Sequence, residues 1–182
     1  MNLNDEQGMA ALAAALAYAP GATLQEIATA VGVSRATLYR FCSSREKLVH
    51  RLLKHAVTRL AESLQAAKLD EGSPAEALER LLIGEFEHRE LHAFMMEFWS
   101  KEIEVDTELA PACNAYEKAL DAFFLRGQRE GFFRIDIPAA VLNENLTWLL
   151  IGLMDAERRG RIARTSVLQT ARALFFEGAA QR

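Results

Sequence analysis

The segment Leu24–Phe41, LQEIATAVGVSRATLYRF, gathers side chains suited to gripping a polyanion. Ser34, Arg35, Ala36, Thr37, Tyr39 and Arg40 share the outward face of a short predicted helix. That face offers two guanidinium groups and three hydroxyls, with no acid among them. In a major groove an Arg pairs bidentately with guanine, and hydroxyls reach phosphates or base edges. The competing interpretation is an ordinary helical hairpin whose polar face meets only water.

Such a face has to be held by a neighbouring helix. A helix-turn-helix needs a small residue where the helices cross and a glycine where the backbone takes a positive φ. Ala28 and Gly32 occupy those places four residues apart, and Ile27, Val31, Val33, Leu38 and Phe41 supply the inward apolar positions. Thr23 followed by Glu26 is a capping-box pattern for the first helix, and Ser34 caps the second. The charge distribution agrees. Residues 21–60 hold seven Lys/Arg against two Asp/Glu; residues 1–60 sum to +3 and the remainder to −7. A basic segment on an acidic body suggests that one end meets a polyanion.

Other constellations carry less. Glu85, His88 and His92 are spaced to share one helix face, a pattern compatible with zinc or, as Glu-x-x-His, with a di-iron bundle. The second Glu-x-x-His pair and a fourth zinc ligand are both missing, so polar surface positions and no metal are expected. Cys42 and Cys113 lack a Cys-x-x-Cys partner and are expected to be reduced core fillers rather than a redox sensor. No phosphate loop, nucleophile elbow or Ser/Cys–His–acid cluster is present, which argues against an enzyme and a cofactor. Phe94, Phe98, Trp99, Tyr116, Phe123 and Trp148, with Met95 and Met96 among them, exceed what one helix face can bury. They are the expected lining of a pocket for an apolar or aromatic ligand.

Turn and cap signals divide the chain into about nine helices and no sheet. Breaks fall at Pro20-Gly21, Gly32, Gly72-Ser73-Pro74, Gly131 and Gly160, and two helices or one kinked helix cover residues 75–104, meeting at Leu91. Phe132–Ile137 alternates like a short strand but has no visible partner, so a loop is expected. With 182 residues, 51% of them hydrophobic and 25% charged, the chain can bury a substantial core, which excludes intrinsic disorder. The longest apolar run, Met9–Ala19, is too short to cross a bilayer and has no basic lead, so neither membrane attachment nor a signal peptide is expected. Two cysteines cannot build a disulfide framework, which favours the cytoplasm.

The residues Ile27-Ala28, Gly32-Val33-Ser34, Thr37-Leu38-Tyr39 and Ser44-Arg45-Glu46-Lys47-Leu48 resemble the TetR family of transcriptional regulators across about residues 8–55. Further on, only helix number and Gly131–Pro138, similar to the family's lead-in to its penultimate helix, match. The resemblance implies a homodimer placing two heads on a palindromic operator in double-stranded DNA, with a divergent body that binds a small-molecule effector and sets head spacing. Carried over residue by residue, it implies recognition-helix contacts from Arg35, Ala36, Thr37, Tyr39 and Arg40, and contacts from Thr23 and Gln25 on the preceding helix. Arg45 stands at the family's phosphate-binding Lys. The chain departs from the pattern at Phe41-Cys42, where His or Tyr followed by Phe is usual. In place of a basic N-terminal arm it has Asp5 and Glu6, which would repel phosphate.

The expectation is therefore an all-α regulator: a helix-turn-helix head at residues 1–55 and a ligand-binding, dimerising helical body at 56–182. Leu142, Leu146, Leu149, Leu150 and Leu153, with Leu168, Leu174 and Phe175, form two apolar stripes expected to build a four-helix interface between two copies. The alternative is a helical ligand-binding or structural dimer that does not bind DNA.

Overall fold

The computed structural model describes residues 2–99 and 106–180. Among the described residues there are nine α-helices and no strand. In chain order they are α1 (Glu6–Tyr18), α2 (Leu24–Ala30), α3 (Arg35–Phe41), α4 (Arg45–Ala67), α5 (Pro74–Glu87), α6 (Arg89–Phe98), α7 (Ala110–Arg129), α8 (Ala139–Arg158) and α9 (Val167–Ala179), with a 3-10 turn at Arg164–Ser166. No helix among them is long and apolar enough to cross a membrane. The all-α expectation holds, with one boundary displaced. The chain breaks at His88, not Leu91, where φ −100° and ψ 21° interrupt the helix. The expected extension of α6 to Glu104 falls on residues outside those described.

That break also assigns the three metal-ligand candidates to different elements. Glu85 lies on α5 and His92 on α6, so their sequence spacing no longer places them on one face. Among the described residues no group of three His, Cys, Asp or Glu is arranged to hold a metal ion.

The helices cluster into two compact units, Met1–Arg59 with His88–Ala110, and Leu60–Glu87 with Pro111–Arg182. In the first, α1 packs on α6, and Leu12, Leu16, Ile27, Leu38, Leu48, Leu52, Leu91 and Phe94 form the buried interior. The Asp5 carboxylate is used locally, accepting from the Gly8 amide at 2.8 Å as the cap of α1. The Glu6 carboxylate, though exposed, lies 3.5 Å from His55 and 3.6 Å from Arg59. Neither acid therefore projects as an unbalanced charge. Burial holds the His55 imidazole below its ordinary pKa, against the opposing pull of Glu6.

The second unit is built on an aromatic cluster. Phe124 lies 5.1 Å from Phe123, 5.0 Å from Phe133 and 5.8 Å from Phe175, ring centroid to centroid. Phe133 comes from the segment between α7 and α8, where Arg134 donates its amide to the Ala179 carbonyl at 3.0 Å. That single bridge to the end of α9 is all the strand character the alternating Phe132–Ile137 shows. The end of α4 is held by two arginines: Arg80 donates to the carbonyls of Ala67, Lys68 and Glu71, and Arg126 to those of Leu69 and Gly72. Arg80 thereby satisfies the terminal Ala67 carbonyl of α4, and the two guanidinium groups together tie down the turn that follows it.

Leu142, Leu146, Leu150 and Phe175 are buried in this unit's own core, and Leu149, Leu153 and Leu168 pack against it. Of the eight residues expected at the dimer interface, four are thus buried within the unit, Leu149, Leu153 and Leu168 are half-buried, and Leu174 is 57% exposed. Helical period accounts for the buried four: the most apolar stripe of an amphipathic helix belongs to its own core first. The outward face of α8 instead shows Val141 and Trp148 seven residues apart, 44% and 57% exposed.

Candidate nucleic-acid interface

The head is assembled by caps and one glycine. The Thr23 hydroxyl accepts from the Glu26 amide at 3.3 Å, and Thr23 returns its own amide and hydroxyl to the Glu26 carboxylate, both at 2.8 Å. These bonds hold the Glu26 carboxyl below its usual pKa, so its charge is committed to the cap. α2 ends at Val31, and Gly32 turns the chain with φ +73°. The Val33 amide then reaches back to the Ala28 carbonyl at 2.9 Å, closing the helix end before α3 begins. Ser34 caps α3, its Oγ accepting from the Thr37 amide at 3.1 Å. The Ser34 and Thr37 hydroxyls also bond each other at 2.8 Å, so both are partly committed to the cap. Ile27, Ala28 and Leu38 are buried at the crossing of α2 and α3.

With those residues inside, Thr23 and Gln25 on α2 and Ser34, Arg35, Ala36, Tyr39 and Arg40 on α3 are all exposed. Thr37 is half-buried. Arg35 stands over the Tyr39 ring, 5.1 Å from its centroid, with a nitrogen 3.5 Å from the Gln25 side-chain oxygen. Three of the sequence-derived contacts thus lie together across α2 and α3, and Arg40 is exposed on the same short helix.

Phe41 has a partner of its own. Arg51 lies 4.0 Å above its ring, donating to the Phe41 carbonyl at 3.2 Å and to the Asn4 side chain at 2.7 Å. An aromatic ring here serves as a platform that joins α3 to α4 and the N-terminus. Cys42 is buried, as a small core filler would be, while burial and then Glu117 push the Cys113 thiol pKa up and away from thiolate chemistry.

Arg45, assigned to phosphate by resemblance, is half-buried and points inward. Its Nε donates to the Ala22 carbonyl at 3.2 Å, another nitrogen donates to the Pro20 carbonyl, and the group stands over the Phe98 ring. Lys47, two residues along the same helix, is exposed, with its amine on the Ser43 hydroxyl at 3.2 Å. Sequence reasoning passed over Lys47, although a two-residue step of roughly 200° around a helix separates an inward side chain from an outward one.

The six aromatic residues expected to line a pocket divide between the units. Phe94 is fully buried and stacks on Phe98 at 4.8 Å in the first, where Trp99 is half-buried. In the second, Phe123 belongs to the aromatic core, and Tyr116 packs against that core beside the buried Glu85. Burial and that carboxylate push the Tyr116 pKa well above its usual range and keep its hydroxyl neutral. Trp148 is on the outside, its indole donating to Glu144 at 3.1 Å, and lines no interior surface of its unit.

Comparison with known proteins agrees with this head. The family model for bacterial regulatory proteins of the tetR family matches residues 5–52. The HTH-type transcriptional regulator NfxB of Pseudomonas aeruginosa is 44% identical over 176 residues, covering 97% of this chain and 94% of the relative. Among solved structures, the ketosteroid transcriptional regulator KstR2 of Mycobacterium tuberculosis aligns over 100% of this chain and 98% of its own, at 20% identity and a TM-score of 0.75. The TetR-like regulator LfrR of Mycobacterium smegmatis, solved in complex with proflavine, aligns over 93% of each chain at 24% identity and a TM-score of 0.69. A regulator from Saccharomonospora viridis, solved with choline, covers 96% of this chain and 95% of its own, at 19% identity and a TM-score of 0.68. At those identities the solved structures establish the shared fold, and the near-full-length 44% relative establishes the lineage: this chain belongs to the TetR family of bacterial transcriptional regulators.

Proposed function

We propose that this regulator acts in the cytoplasm as a homodimeric repressor that binds a palindromic operator and releases it when a small apolar or aromatic molecule binds the body. The observation that carries the proposal is the exposed face of α3. Arg35, Tyr39 and Arg40 stand on it, flanked by Gln25 and Thr23 from α2, with no acidic side chain on α3 itself. Arg35 and Arg40 are assigned to base edges, Tyr39, Thr37, Ser34 and Thr23 to phosphates and nearby bases, and Ala36 to a thymine methyl. The function is binding, not catalysis.

A second copy is assigned to the outward faces of α8 and α9. Val141, Trp148 and Leu174 are the exposed apolar groups there. Gly152 and Gly178 continue the same two faces at helical spacing with open space beside them, which permits close approach of partner helices. Two such helices meeting their symmetry mates make a four-helix interface. For the effector, the supporting observations are the LfrR and Saccharomonospora complexes and, in this chain, the neutral Tyr116 hydroxyl beside the buried Glu85.

The alternative, a helical dimer without DNA binding, drew on the N-terminal acids and Phe41. Asp5 caps α1, Glu6 stands beside His55 and Arg59, and Phe41 is paired with Arg51, so each of these features has a local partner that supports the DNA-binding reading over it. Selection of bound duplexes from a random DNA pool, followed by anisotropy titrations across salt concentrations, tests the reading. A selected palindrome bound with a steep salt dependence is expected. Recovery of no enriched sequence would return the non-DNA alternative.

A further inference from the structure

The resemblance gives Arg45 a phosphate, but its guanidinium is engaged elsewhere. It donates to the carbonyls of Pro20 and Ala22, in the turn between α1 and α2, and stands 5.6 Å from the Phe98 ring centroid at the last residue of α6. Three segments of one compact unit therefore meet on one side chain: the α1–α2 turn, the start of α4 and the end of α6. Ala22 immediately precedes Thr23, the cap of α2, and Gln25 follows in the first turn beside Arg35. Fixing the Ala22 carbonyl fixes where α2 begins, and with it the Gln25 and Thr23 edge of the DNA-facing surface. A planar guanidinium suits this work because its fork can donate to two carbonyls while its face lies on an aromatic ring.

We propose that Arg45 is a positioning residue, a latch that holds the α1–α2 turn and the end of α6 in register with α4, and that Lys47 makes the phosphate contact instead. Lys47 lies on the opposite side of α4, is exposed, and keeps two of its three ammonium protons unused by its bond to Ser43. Phe98 makes the latch responsive. A displacement of the end of α6 withdraws the ring beneath Arg45, loosens its hold on Ala22 and shifts the α2 edge of the DNA-facing surface. The proposal rests on the DNA-binding reading, and one of its tests needs no DNA.

The assay uses the full chain with a labelled duplex selected by the protein itself and a scrambled duplex of equal length. Arg45→Ala is expected to weaken the selected duplex by about tenfold or more while the slope of log K against log salt stays unchanged. Lys47→Ala weakens both duplexes alike and flattens the slope by about 1.8, because a dimer with two heads loses two phosphate contacts at about 0.9 each. Arg45→Lys separates the two roles where Arg45→Ala folds poorly: a latch loses its fork and binding weakens, whereas a phosphate contact keeps its charge and binding stays near wild type. Phe98→Leu is expected to weaken the selected duplex without touching DNA, and its combination with Arg45→Ala to be no worse than the stronger single change. Without DNA, amide exchange across residues 22–28 rises in Arg45→Ala and not in Lys47→Ala. A flattened salt slope for Arg45→Ala, near-wild-type binding by Arg45→Lys, or unchanged exchange at residues 22–28 would overturn the latch. Failure of wild type to bind any duplex would count against DNA binding, and the exchange experiment would still decide the latch.

Discussion

Gly127 lies inside α7, where a glycine is worse than alanine by about 1 kcal/mol on helix propensity alone. Gly127→Ala would ordinarily stabilise such a helix. Here a Cβ would stand 2.5 Å from Phe133 Cε2 and nearer still to Cδ2, against about 3.5–4.0 Å for carbon atoms in comfortable contact. The ring would have to retreat by about 1 Å or more to restore that separation. It has little room, being 1% exposed, with centroids of Phe132, Phe124 and Phe123 at 4.8, 5.0 and 5.6 Å. Overpacking of a core costs about 1–3 kcal/mol, and a ring blocked on three sides belongs at the upper end. Offset by the propensity gain, the net loss is about 2 kcal/mol, or about 4–8 °C in Tm for a chain of this size.

The measurement is thermal unfolding followed by far-ultraviolet circular dichroism at one fixed protomer concentration, because assembly shifts an apparent Tm by mass action. Phe133→Leu supplies the internal control. In that background the new methyl has space, so adding Gly127→Ala should cost little or even raise Tm, giving a non-additive cycle. The consequence reaches assembly, because Phe133 anchors the turn that launches α8, where Gln128 also donates to the carbonyls of Arg134 and Ile137 at 2.8 and 2.6 Å. A loosened turn should weaken self-association as well as lower Tm. Wild-type or greater stability for Gly127→Ala alone would show that the close approach is not what keeps glycine in α7.

Further outcomes follow from other sites. Arg40→Ala should weaken the selected duplex by about 1–3 kcal/mol and relax preference at one base pair of each half-site, read by competition titrations; uniform weakening of all duplexes would make Arg40 a phosphate contact. Trp148→Asp should convert dimer to monomer in sedimentation at micromolar concentration, since the indole is 57% exposed on the face assigned to the partner, and an unchanged dimer would move the interface elsewhere. Because burial depresses the His55 pKa, the unfolded chain takes up a proton there that the folded head resists, so His55 contributes stability above about pH 6.5 that is lost on acidification. His55→Gln should therefore flatten the decline in urea midpoint between about pH 7.5 and 5.5, and an equally steep decline would assign it to other groups.

How much of this was legible in the sequence depends on how local the deciding contacts are. The Thr23–Glu26 box, the Ser34 cap and the positive φ of Gly32 are all settled within four residues, and each was readable from residue type and spacing. Since α2 and α3 are only seven residues each, those local devices also determine which side chains face outward. Arg45 failed to be read for the complementary reason. Its carbonyl partners lie 23 and 25 residues away, and its aromatic partner is on α6, so no spacing rule within α4 could signal an inward guanidinium.

The body was harder to read because an apolar stripe reports that a face is buried, not what buries it. Leu142, Leu146 and Leu150 are spaced four residues apart, as they would be in a dimer seam, yet they cover their own chain's core. Val141 and Trp148, interrupted by polar Asn145, look less convincing in sequence although they are the groups left exposed. The same ambiguity governs the aromatic residues, since a ring that fills a core and a ring that lines a pocket have identical composition. What separates them is a polar group held among them. Tyr116, packed against the core beside the buried Glu85, is such a group, and it marks where a ligand's polar atom could be met more specifically than the larger number of phenylalanines around it.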